Sequence, residues 1–227
     1  MWAGLLRHFA AGLLMLLATA AAAQPTRFYN QEQLSSNLIT SLAQDHEGYL
    51  WIGTEYGLNK FDGVRFTQYV THNAEQEQLF DNIVRHLLVD GEGHLWVVGN
   101  RGLHRYNRDT DKLETVRFGN RVTTNVNDLL QAPDGSLWVL SSQTGGLRVD
   151  PASMTATPID AINSRLDSAE GYDNMYLDSR GRLWIAYQST GLMMVDTKSQ
   201  RSHYFEEQLM PDNRAVDVME DDRGRLL

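Results

Sequence analysis

The sequence predicts an all-β fold, a β-propeller of four-stranded antiparallel blades, about four and a fraction of them present. Three observations predict it. Four of the five tryptophans stand in one register, Trp51, Trp96, Trp138 and Trp184, at spacings of 45, 42 and 46 residues. Each follows a turn signal, Gly48, Gly93, Gly135 or Gly181, and then Leu-Trp. The segments between are short, rich in β-branched and aromatic residues, and punctuated at regular intervals, and a period of 40 to 50 residues made of short strands signals one repeat per blade. A fifth copy, Asp221 to Leu227, begins 43 residues after Asp178.

Residues 1–23 are expected to be a cleaved secretion signal. Arg7 precedes a Leu/Ala-rich run from Phe9 to Thr19, and Ala21-Ala22-Ala23 supplies the small-x-small cleavage pattern. The run is shorter than the roughly 20 residues a membrane span needs. The rest of the chain, 24–227, is read as a partial propeller. Thr26–Tyr29 resembles the last strand of a repeat and is expected to close the final blade, so that no sheet edge is left unpaired.

The first blade, about 35–70, reads as strands over Leu38–Gln44, Leu50–Thr54, Gly57–Phe61 and Val64–Tyr69, with Leu38, Thr40 and Leu42 sharing one face of the first strand by simple alternation. The second, about 79–118, has its last strand over Leu113–Phe118. In the third, about 123–159, the pattern slips at Thr144-Gly145-Gly146-Leu147, which predicts a bulge there. The fourth spans about 171–205 after a longer polar connection from Asp160, and the incomplete fifth spans 214–227. Each tryptophan is expected to bury about 150–250 Å² against the neighbouring blade. Its replacement by Ala is expected to cost about 3–5 kcal/mol.

Charge and composition narrow the function. The net charge is −9, and removal of Arg7, the one charged residue among the first 23, leaves −10. Such acidity argues against nucleic acid as a partner. Cysteine is absent, so there is no disulfide, thiolate metal site, cysteine nucleophile or lipid-modified cysteine anchor. The seven histidines show no paired spacing, the repeated Asp (Asp45, Asp90, Asp178, Asp221) is too closely followed by its Gly to wrap calcium, and no nucleophile elbow or phosphate loop occurs. The Asp is read as capping its own hairpin. No catalytic residue, metal or cofactor is expected.

The polar and aromatic residues on the loop after each Trp strand remain: Glu55 and Tyr56, Asn100 and Arg101, Ser142 and Gln143, Tyr187 and Gln188. Equivalent loops of a propeller gather at one end of its channel. These residues are the candidate site for a sugar or other small polar ligand.

The repeat resembles the two-component regulator propeller family, through Asp45, Gly48, Leu50, Trp51, Ile52, Gly53, Thr54, Gly57, Leu58, Phe61 and Asp62. The resemblance implies a periplasmic, ligand-sensing region of an inner-membrane receptor, a hybrid histidine kinase or in some cases a diguanylate cyclase. It also implies blades in sevens, a homodimeric parent, and small-molecule or oligosaccharide ligands, with the chain as an N-terminal portion completed by further blades. Streptogramin-lyase-like propeller enzymes use similar Gly-x-Leu-Trp repeats and form the alternative, but the histidines here do not recur at one register. A scaffold of the WD-repeat kind is disfavoured because its Gly-His and Trp-Asp landmarks are missing.

Overall fold

Each of the four complete repeats folds as one antiparallel sheet whose strands lie in chain order. The structure, a computed structural model, describes residues 33–70, 82–100, 102–119, 121–122, 125–163, 172–187, 191–205 and 218–227. The signal segment, the strand expected at 26–29, Arg101 and Gln188 lie outside the described residues. The first blade comprises β1 (Ile39–Gln44), β2 (Leu50–Thr54), β3 (Gly57–Phe61) and β4 (Phe66–Tyr69). The second comprises β5 (Val84–Val89), β6 (Leu95–Gly99), β7 (Gly102–Asn107) and β8 (Lys112–Thr115). Two short strands, β9 (Arg117–Phe118) and β10 (Arg121–Val122), precede the third blade, which contains β11 (Val126–Gln131), β12 (Leu137–Ser141), β13 (Gly145–Asp150) and β14 (Thr155–Pro158). A single helical turn, α1 (Asp160–Asn163), leads to the fourth blade of β15 (Tyr172–Leu177), β16 (Arg182–Tyr187), β17 (Gly191–Asp196) and β18 (Ser202–Phe205). Glu220 bridges Leu226 in the fifth repeat.

The first hairpin of every repeat turns in the same way. In the first, the Asp45 amide donates to the Tyr49 carbonyl at 3.0 Å and the Gly48 amide to the Asp45 carbonyl at 3.0 Å. Gly48, Gly93, Gly135, Gly181 and Gly224 all hold φ between +74° and +89°, where a side chain would be strained, and this fixes glycine three residues after the repeat's Asp position.

Among the described residues the core forms three clusters, at the seams between the first and second, second and third, and third and fourth blades. Trp51 packs with Val84, Leu87, Leu95 and Val97 of the second blade; Trp96 with Val126, Leu129, Leu137 and Val139 of the third; Trp138 with Met175, Leu183, Ile185 and Met193 of the fourth. Each blade therefore offers a Trp face to the next and receives the preceding Trp on its other face. Val218 of the fifth repeat is buried at the position equivalent to Met175, three residues before the Asp.

The receiving face of the first blade is open. Leu42 is 60% exposed where the equivalent Leu87 is 5%, and Ile39 is 51% exposed where Val84 is 0%. Residues 34–35 meet this blade at Asn59: Leu34 is buried, the Ser35 amide donates to Asn59 Oδ1 at 2.9 Å, and Asn59 Nδ2 donates to Ser35 Oγ at 2.8 Å.

Two expectations are corrected. Pairing of β12 with β13 is regular through Ser141–Gly145 and Leu140–Gly146, so there is no bulge at 144–147. The register instead shifts in the first strand of every blade, between Ile39 and Ser41, Val84 and His86, Val126 and Asp128, and Tyr172 and Asn174. One extra residue there places Val84 and Leu87, and likewise Val126 and Leu129, toward one seam, which simple alternation cannot do. The strand expected over Leu113–Phe118 also divides. Val116 interrupts it, and β9 pairs in parallel with β14 at Arg117–Thr155, extending the outer edge of the third sheet.

Candidate functional site

The loop after each of the first three Trp strands is tied back to the start of its blade's first strand by one recurring hydrogen bond. The Glu55 amide donates to the Leu38 carbonyl at 3.1 Å, the Asn100 amide to Ile83 at 3.2 Å, and the Ser142 amide to Asn125 at 3.2 Å. Loop tips and first-strand bulges therefore share one end of the blades. The loops are braced from within: Thr54 Oγ1 accepts from the Tyr56 amide at 3.1 Å, and Ser141 Oγ accepts from the Gln143 and Thr144 amides at 3.2 and 3.1 Å.

Of the residues expected at this end, Glu55, Tyr56 and Gln143 are exposed and Asn100 is half-buried. Tyr187 ends β16, so its backbone lies at the same end as the others. The residues that sequence reasoning missed are those on the bulges. Arg85 Nη2 donates to Asn100 Oδ1 at 2.7 Å, and Asn127 Oδ1 accepts the Ser142 amide at 3.0 Å. Thr40 Oγ1 donates across the seam to the Val84 carbonyl. Bulges re-aim side chains, and here they turn Thr40 and Asn127 onto the neighbouring backbone and Arg85 onto a candidate residue. The signal was present as a repeated apolar-polar-polar-apolar run: Ile39-Thr40-Ser41-Leu42, Val84-Arg85-His86-Leu87, Val126-Asn127-Asp128-Leu129. At the third blade, Thr144 Oγ1 is buried and has no hydrogen-bond partner.

The opposite end is built on the repeated Asp. Asp45 Oδ1 accepts the amides of Glu47 and Tyr49 at 3.1 and 3.0 Å, and its Oδ2 accepts Trp51 Nε1 at 2.8 Å. Asp90 and Asp178 repeat this, with Trp96 Nε1 at 2.7 Å and Trp184 Nε1 at 2.9 Å. The Asp thus caps its hairpin and also holds the tryptophan six residues on. A basic side chain accompanies each carboxylate: Arg108 at 3.2 Å from Asp45, His94 at 3.1 Å from Asp90, Arg182 at 2.6 Å from Asp178 and Arg225 at 2.7 Å from Asp221. Burial pushes the Asp90 and Asp178 carboxyls up, but the indole and amide donors outweigh it and both lie below the usual carboxylate range. In the third blade Ala132 occupies the Asp position and Trp138 Nε1 is buried without a partner.

Among the described residues no group of three His, Asp or Glu side chains is arranged to hold a metal ion, and no helix is long and apolar enough to cross a membrane. A hollow of about 430 Å³ lies at the Asp end of the third blade, away from the candidate loops.

The model of the two component regulator propeller family matches residues 33–56, which hold the Asp45 hairpin, the Trp51 strand and the first candidate loop. Over residues 33–56 the repeat is similar to that of the two component regulator propellers. The extracellular domain of a putative hybrid two component system from B. thetaiotaomicron superposes with a TM-score of 0.73 at 25% identity, over 88% of this chain and 28% of that one. The extracellular domain of a putative one component system from the same organism gives 0.72 at 18% identity, over 89% and 30%. Virginiamycin B lyase from Staphylococcus aureus gives 0.63 at 14% identity, over 83% and 61%, a likeness of fold alone. The chain thus spans under a third of the length of those two extracellular domains. No curated protein matches it.

Proposed function

We propose that this regulator propeller is the ligand-sensing region of a periplasmic receptor of the hybrid histidine kinase type, exported by the signal in residues 1–23 and without catalysis of its own. The observation that carries the reading is the match of residues 33–56 to regulator propellers together with 25% identity to an extracellular two component domain. Parent receptors of this kind act as dimers, and a ligand transmits only by favouring one arrangement of that dimer over another.

The ligand is a small polar molecule, such as a carbohydrate breakdown product, held at the loop end. Support comes from its chemistry. Tyr56 offers an aromatic ring, 51% exposed, while Glu55, Gln143 and the Arg85–Asn100 pair supply acceptors and donors for hydroxyl groups. Arg101, Tyr187 and Gln188 are assigned to the same site from sequence.

The test is calorimetric titration of the purified chain with a panel of neutral and acidic oligosaccharides of two to four units. Saturable binding that Tyr56→Ala and Arg85→Ala each weaken at least tenfold is expected. A panel without a binder, or binding indifferent to both substitutions, overturns the assignment.

A further inference from the structure

The hollow in the third blade has a specific origin, legible by comparing two seams. At the seam of the first and second blades, Arg108 follows β7 and inserts its guanidinium between three acceptors. Nη1 lies 2.6 Å from Glu47 Oε2, and Nη2 donates to Asp45 Oδ2 at 3.2 Å and to the Gly93 carbonyl at 3.3 Å. The next seam repeats the acceptors in the same register. Glu92 stands for Glu47 and Gly135 for Gly93, while Asp90, in the place of Asp45, is already partnered by His94 Nδ1 at 3.1 Å, which lies 3.7 Å from Glu92 Oε2. Arg108 is replaced by Pro151, and the alignment is fixed by Asp111 and Met154, which take the same left-handed backbone conformation at φ 53° and 55°.

The space is also wider on the second side. Across β7 and β8, Arg105 faces Glu114 and Asn107 faces Lys112; across β13 and β14, Arg148 faces Thr157 and Asp150 faces Thr155. Two long side chains have become threonines. Glu92, Gly135, Asp134, Asp150, Thr155 and Thr157 border the resulting 430 Å³, within the size range of small-molecule sites. Arg148 is the one cation on the wall and is already bound to Asp134 at 2.7 Å, so three carboxylates face the hollow against one engaged guanidinium.

We infer that this hollow binds the guanidinium group of a small organic cation, in the place that Arg108 fills within the chain one seam earlier. Glu92 is the principal anion, as Glu47 is for Arg108, and the Gly135 carbonyl takes a second N–H. Asp134 and Asp150 add long-range attraction. The site lies at the opposite end of the blades from the oligosaccharide loops and is independent of that reading.

The probe is agmatine, with butylurea as its uncharged counterpart, titrated calorimetrically into the full chain at low ionic strength. Agmatine is expected to bind saturably and butylurea not at all. Glu92→Gln, a substitution at a side chain 76% exposed and hence safe for folding, should weaken agmatine at least tenfold. Pro151→Arg supplies the guanidinium from within and should abolish agmatine binding, while Arg85→Ala at the loop end leaves it unchanged. Equal binding of butylurea, undiminished binding by Glu92→Gln, or no agmatine binding overturns the inference. Should Pro151→Arg fail to fold, Glu92→Gln decides the matter alone.

Discussion

Replacement of Asp90 by Ala isolates what the repeated Asp contributes to a propeller seam. The carboxylate accepts the Glu92 and His94 amides at 3.0 and 2.8 Å through Oδ1, and Trp96 Nε1 at 2.7 Å through Oδ2. The two amides lie in a turn that water reaches, so losing their acceptor resembles losing a helix cap, about 1 kcal/mol. The Trp96 indole is different. The ring is wholly buried, water cannot replace the carboxylate, and a stranded buried donor costs about 1–3 kcal/mol. Asp90→Ala is therefore expected to lose about 2–4 kcal/mol, read from urea denaturation followed by circular dichroism. The chain itself shows that the loss is survivable, because Ala132 leaves Trp138 Nε1 in that condition. A double-mutant cycle with Trp96→Phe isolates the indole bond, with an expected coupling of about 1–2 kcal/mol. A cost for Asp90→Ala below about 0.5 kcal/mol, or a coupling indistinguishable from zero, would refute the reasoning.

Other outcomes follow from the same geometry. Ala132→Asp should give Trp138 Nε1 the acceptor it lacks and raise stability in the same denaturation assay, and adding Ser136→Arg, mimicking Asp178 and Arg182, should raise it further. Burial lowers the His104 imidazole to about 4. Its neutral form stabilises the fold fully above pH about 6.5 and loses that contribution as pH falls toward 4, a change of about 3 kcal/mol that His104→Leu, copying Leu147, should flatten in melting curves across that range. Tyr69 and Tyr106 hydroxyls both donate to Asp111 Oδ1, at 2.7 and 2.6 Å, joining the first two blades; Tyr69→Phe should cost about 1–2 kcal/mol by denaturant titration. The exposed face around Leu42 should make the chain self-associate, and Leu42→Lys should shift sedimentation profiles toward monomer.

The fold was legible because its cause is repeated. A Trp in one register, a glycine at positive φ before it and short strands between leave few architectures, and the four sheets follow that plan in chain order. What escaped lies in side-chain contacts that the residue pattern does not show. The Asp reads as a turn residue from its neighbours alone, and only the folded hairpin brings Trp51 Nε1 to Asp45 Oδ2 across six residues. The first-strand bulge escaped because a polar pair between apolar residues looks like imperfect alternation until the next blade requires Val84 and Leu87 on one side. The candidate loops were legible as a set, whereas Arg85, reached through that bulge, was not.

Departures from the repeat concentrate in the third blade, and they are connected. Ala132 removes the carboxylate, and Ser136 stands where Arg182 and Arg225 supply a cation in later copies, so charge and countercharge disappear together. Pro151, Thr155 and Thr157 empty the rim beside them, β9 and β10 are added to the outer edge of the same sheet, and the loop end carries the buried Thr144 hydroxyl without an acceptor. In a repeat array each unit answers mainly to its neighbours, so cost incurred in one blade stays local while the remaining seams hold the arc. A blade that gives up its indole bond and its buried ion pair, yet keeps Trp138 at 3% exposure and the seam cluster around Met175 and Ile185, holds its tryptophan at that seam by packing. That leaves its rim, where Glu92 and Gly135 border an open hollow, free to serve something other than stability.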